Sequence, residues 1–179
     1  KISDLSLSSS EIEKCYPKMG TTRRIRDRKN AIYVPSGDER EGNKSRRPRV
    51  LPLDDELREV LIRYLLIRPD NGQPWVFLSE KTYTELNKSF VNKVWKDEFH
   101  PEYSETEEYR PVTSHFGRHR FSTWWRVEQD MNRELVKYMR GDKPGSAFAK
   151  TREVLDAYLH TYYQDIRDRY LENIYNIGL

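Results

Sequence analysis

At 179 residues the chain is long enough for a real core and suits one domain, and its charged residues, 34% of the total, nearly cancel to +3. Cys15 is the only cysteine, which excludes an intramolecular disulfide and a zinc site built on cysteine clusters and favours a reducing interior. No apolar run approaches the roughly 18–20 residues of a membrane span and no signal-peptide pattern opens the chain, so no membrane partner is expected.

Charge is unevenly spread. Residues 21–50 hold ten Lys or Arg against four acids, a candidate polyanion-facing surface whose plain alternative is a solvated basic loop. The start, Lys1-Ile-Ser-Asp-Leu-Ser-Leu7, has no initiator Met and reads as a fragment of something longer. Residues 2–7 alternate too briefly to define an element. Residues 8–30, polar and broken by Pro17 and Gly20, read as a long irregular connection.

Ala31–Val34 and Arg49–Leu51 are strand candidates, joined by residues 35–48, which are rich in turn formers. The pair makes an extended β-hairpin with a basic tip. Asp54 caps a helix with apolar positions Leu57, Val60, Leu61, Tyr64 and Leu65, closed by Pro69. Trp75–Leu78 reads as a short buried segment. Leu86, Phe90 and Val94 mark a further helix, and residues 101–111 an acidic loop.

Val112-Thr-Ser-His-Phe-Gly-Arg-His-Arg120 is the chemically suggestive stretch. Ser114 is a candidate N-cap, and on the helix it opens His115 and Arg118 are neighbours at i and i+3. An imidazole beside a guanidinium at a helix start suits a phosphate group; a solvated His and a surface Arg are the plain alternative. Trp124 and Trp125 fit a core better than a stacking surface. Asn132 then caps a short helix ending at Gly141, residues 142–146 form a loop, and Leu155, Leu159, Tyr162, Ile166, Tyr170, Ile174 and Ile177 make an apolar stripe on one or two last helices. The expected class is mainly α with a small antiparallel β-hairpin (α+β).

Taken in order, the Lys44 hairpin (Asn43-Lys-Ser-Arg-Arg-Pro-Arg-Val-Leu-Pro-Leu53), Trp75-Val-Phe-Leu-Ser79, His115-Phe-Gly-Arg-His119, Arg140-Gly-Asp142 and Tyr158-Leu-His160 resemble the catalytic domain of the tyrosine recombinase (phage integrase) family. The resemblance runs along nearly the whole chain, and the aromatic ending is most similar to archaeal members. It implies that residues 1–179 are the C-terminal catalytic domain, with an N-terminal DNA-binding domain and the first catalytic arginine lying before Lys1. It also implies a site-specific recombinase of a virus or mobile element, acting on double-stranded DNA as a homo-oligomer, a tetramer on DNA. The setting would be the DNA-associated cytoplasm of a prokaryote or virus-infected cell.

The resemblance assigns roles residue by residue. Tyr158 is the nucleophile, with Tyr162 and Tyr163 as rivals, and Arg118 is the second catalytic arginine. His115 is the base or proton mediator and Lys44 the general acid. Arg46, Arg47, Arg49 and Arg120 are expected to face DNA; Arg46 and Arg47 also rival Lys44. His119 and His160 are expected to be supporting or solvated. The chemistry suits these residue types: fixed Arg donors answer charge on the phosphate oxygens, and a tyrosine with pKa about 10 needs help to attack. No metal or cofactor is implied.

Two departures stand out. The missing arginine would cost roughly 10²–10³-fold in cleavage, and Asp142 stands where the family has His or Trp, an acid that can orient a neighbour such as Arg118 but not donate while ionised. A non-cleaving DNA-binding protein on the same scaffold is the alternative those departures favour. A type IB topoisomerase-like enzyme and an RNA-binding helical module are the others.

Overall fold

The computed structural model describes residues 1–40, 47–99, 114–142 and 152–178, of which 99, 114 and 152–161 by backbone alone. It is a mixed fold of α-helices and a small three-stranded antiparallel sheet. The chain divides into two compact units, Lys1–Arg68 with Asn132–Leu179, and Pro69–Met131. Among the described residues no helix is long and apolar enough to cross a membrane.

The first unit is built on the sheet. The strands are β1 (Leu5–Ser6), β2 (Ala31–Val34) and β3 (Arg49–Pro52), in that order. Ala31 pairs with Pro52 and Tyr33 with Val50. Because side chains alternate along a strand, these four fall on one buried face. On that face Ile25, Ala31, Tyr33, Val50 and Tyr163 form a core cluster. Ile25 is fully buried, and its burial by itself is worth roughly 1.5–3 kcal/mol. The predicted hairpin is therefore present, with a third strand added. That strand, two residues long after a 3-10 turn over Ile2–Asp4, is too short for alternation to mark it.

Helix α1 (Ser10–Cys15) replaces part of the irregular connection expected over residues 8–30. It buries only Ile12, so no periodic stripe announces it. Its C-terminal neighbour Tyr16 donates a hydrogen bond of 2.9 Å to the Leu65 carbonyl of α2 (Asp55–Ile67). Asp54 caps α2 by accepting from the Leu57 N–H at 3.0 Å, and Leu61 and Leu65 are buried. Leu57, expected in the same stripe, is exposed. The helix stops at Arg68, whose extended backbone is what a following proline demands.

Near the start, the buried Asp4 accepts from Arg40 at 2.5 Å and from Thr22 at 2.8 Å. Burial works to raise its pKa, but the bonds from Thr22 and Arg40 outweigh it, and the carboxyl sits below the ordinary aspartate value.

α5 (Arg133–Arg140) is closed at both ends by the predicted residues. Asn132 accepts from the Glu134 N–H at 2.8 Å. Gly141 adopts φ 70°, and the N–H groups of Gly141 and Asp142 return to the Tyr138 and Lys137 carbonyls, both at 2.9 Å. That pair of bonds is a Schellman stop. The stripe from Leu155 to Tyr170 falls on one helix, α6 (Arg152–Asn173), with Tyr163, Ile166 and Tyr170 its buried side chains among those described, whereas Ile174 and the exposed Ile177 lie beyond its end.

The second unit carries α3 (Lys88–Phe99), α4 (Ser114–Thr123) and a π-helical turn over Trp124–Glu128. One expectation is corrected here. Trp75–Leu78 is not a buried segment: Phe77 is exposed and the others half-buried. Phe90 and Val94 of α3 are also exposed. The helices meet where Trp95 faces Gly117; a Cβ there would sit 4.0 Å from the indole, an ordinary contact. Trp125 is fully buried, with Phe121 edge-on at 6.1 Å, and its carbonyl accepts from Met131 N–H at 2.7 Å. The expected acidic loop over residues 101–111 lies outside the described residues.

Candidate functional site

In the second unit, α4 presents the expected pair on one face. His115 is exposed and Arg118 half-buried, one helical turn apart. The helix begins at Ser114 itself, so the N-cap position falls on residue 113, outside the described residues. Ser122 Oγ donates to the Arg118 carbonyl at 2.8 Å within this helix. His119 is exposed. Arg120, expected to face DNA, is ion-paired with Glu128 and lies 5.2 Å from the Trp124 ring. Trp125 is core, as the sequence suggested.

The first unit brings together two other stretches of the expected site. The base of the basic hairpin meets the turn after α5: the Arg47 N–H donates to the Gly141 carbonyl at 3.2 Å. Arg49 lies against the same glycine. A Cβ at Gly141 would come within 2.9 Å of the Arg49 guanidinium carbon. Beside them Arg140 and Asp142 form an ion pair at 3.2 Å, so Asp142 orients its own helix's last arginine rather than standing alone. Lys44 and Arg46 lie outside the described residues.

Tyr138 ties this region together, and the sequence reading did not single it out. Its hydroxyl accepts from the Val50 N–H at 3.0 Å and donates to the Val50 carbonyl at 3.1 Å. β3 is an edge strand, so one side chain satisfies both outward-facing backbone groups of Val50. Burial pushes the Tyr138 hydroxyl up to about 12, against smaller opposing effects of the Val50 bond, Arg28 and Arg49. No local signal marks such a residue: 88 positions separate it from its partner.

Tyr158 and His160 lie in α6, described there by backbone alone. The rival tyrosines are committed to packing. Tyr162 stacks on Tyr138 at 5.2 Å with the rings 15° from parallel. Tyr163 is buried, with the Arg28 guanidinium 4.1 Å above its ring. Burial raises the Tyr163 pKa, more than Arg28 and Arg167 lower it.

Among the described residues no three of His, Cys, Asp and Glu lie close enough together to hold a metal ion. Compared with family models, with curated proteins and with solved structures, the chain gives no match to any of them.

Proposed function

We propose that this chain is the catalytic domain of a site-specific DNA recombinase of the tyrosine class. The observation that carries the reading is the bond between Arg47 and Gly141. It joins the basic hairpin to the Gly-Asp turn, two stretches the resemblance makes parts of one site, in the unit that also holds the helix of Tyr158. The packing of Tyr162 and Tyr163 supports Tyr158 as the nucleophile.

In this mechanism the Tyr158 oxygen attacks a backbone phosphorus while its proton passes to His115. The bond to the 5′-oxygen breaks, and Lys44 protonates that oxygen as it leaves. A 3′-phosphotyrosine link results. Arg118 holds the non-bridging oxygens as charge gathers on them. A free 5′-hydroxyl from another duplex then attacks the link and regenerates the tyrosine, so strand joining requires no ATP.

The Arg140–Asp142 ion pair favours a second reading, a DNA-binding protein on the same scaffold that does not cleave, because it places a carboxylate where a donor is expected. Incubation with nicked suicide duplexes from a randomised pool separates the two. A covalent adduct that maps to Tyr158 and vanishes in Tyr158→Phe supports the recombinase. Adduct undiminished in Tyr158→Phe sinks the nucleophile assignment, and bound DNA without adduct favours the non-cleaving protein. Relaxation of supercoiled DNA of any sequence, without strand exchange, would instead mark a topoisomerase.

A further inference from the structure

The basic segment that the sequence leaves undivided is sorted by the structure into two sets of side chains. Residues 22–28 form a turn of helical character in which the Thr22 carbonyl accepts from Ile25 N–H at 2.9 Å and Arg26 N–H at 3.1 Å. Ile25 plugs into the core beneath it and is fully buried. Arg28 points back over the Tyr163 ring, and Arg24 hydrogen-bonds the Tyr33 hydroxyl. These three residues anchor the turn. Arg23, Arg26 and Lys29, spaced three apart, are all exposed, and none is ion-paired among the described residues.

We infer that Arg23, Arg26 and Lys29 form a phosphate-tracking patch that grips the backbone of duplex DNA without reading its sequence. The inference rests on the reading of DNA as the substrate and extends it to a surface separate from the catalytic residues. Three cations with no ion pair among the described residues, on a backbone already held by the buried Ile25, release condensed counterions on meeting phosphates. The only apolar side chain of residues 21–30 is Ile25, and it faces inward. The patch therefore has no apolar face to enter a lipid surface and no exposed aromatic ring on which single-stranded bases stack. Charge alone is enough to hold a duplex backbone, the polyanion that the proposed function supplies. Because Arg28 joins the turn to Tyr163, the patch is braced against α6, five residues beyond Tyr158 in the sequence.

The test compares the full chain with Arg23→Gln/Arg26→Gln/Lys29→Gln in binding to a duplex oligonucleotide across a salt series. The logarithmic salt slope should flatten by about 0.9 for each phosphate released, thus by about two to three in all, and equally for unrelated duplex sequences. The charge-preserving Arg23→Lys/Arg26→Lys variant should keep the wild-type slope. A control carrying Lys14→Gln, Lys18→Gln and Arg133→Gln removes three exposed charges elsewhere and should leave the slope nearly unchanged. An unchanged slope in the first variant, or an equal loss in the control, overturns the patch. Its failure is separable from that of the recombinase reading: adduct on Tyr158 with an unchanged slope defeats only the patch, and a flattened slope without adduct defeats only the chemistry.

Discussion

The Tyr138 hydroxyl both accepts a hydrogen bond from Val50 N–H and donates one to Val50 C=O, so a single phenol closes the open edge of the sheet. Removing it leaves the ring in place on Tyr162 and strands two buried backbone groups. Tyr138→Phe should therefore lower stability by about 1–3 kcal/mol, read as a drop in the urea midpoint with little change in slope. A midpoint equal to wild type would mean water or a neighbour takes over both bonds.

Alkaline pH should unfold the first unit through its tyrosines. Burial raises the pKa of Tyr33, Tyr138, Tyr163 and Tyr170, and Tyr138 reaches about 12. In the unfolded chain the same phenols lose their protons near pH 10, roughly their ordinary value. Above that pH the unfolded state binds fewer protons than the folded one, so stability is full below it and falls as pH rises through the folded values. Near-ultraviolet tyrosinate absorbance should show a delayed group of phenols ionising together with loss of structure. Smooth, independent titration of every tyrosine before unfolding would contradict this.

Gly141→Ala should be costly for two separable reasons. The left-handed backbone strains any residue with a Cβ by roughly 1–2 kcal/mol, and that Cβ also meets the Arg49 guanidinium. Adding Arg49→Ala should recover the second part and leave the first. A double-mutant cycle on denaturation midpoints would show the coupling, and strict additivity would remove Arg49 from the account.

For the proposed reaction, Arg118→Ala should slow adduct formation by roughly 10²–10³-fold at saturating DNA. Duplex affinity should fall far less, since a donor aimed at developing charge matters most as the phosphorus is attacked. Equal losses in affinity and rate would make Arg118 a binding residue only.

The elements that sequence reveals are those whose signals are local. Ala31–Val34, the Asp54 and Asn132 caps and the Gly141 stop each depend on residues within a few positions, and each is found where expected. Helix α1 buries one side chain and β1 spans two residues, too little for any periodicity. Phe90 and Val94 mark α3 by a helical period that does not say whether anything covers them, and both are exposed. Of the candidate site, the His115–Arg118 spacing was legible on α4. The Tyr138 clamp and the Arg28–Tyr163 stack were not, since they join residues far apart in the chain.

The clamp also sets an order on biosynthesis. Val50 leaves the ribosome 88 residues before Tyr138, a delay of roughly 4–18 s at ordinary elongation rates. Throughout that interval β3 is a strand with one side unoccupied, able to pair with a neighbouring nascent chain. Chains halted before Tyr138 should accordingly self-associate and be cut readily by proteases near Val50, whereas chains halted after α6 should resist both.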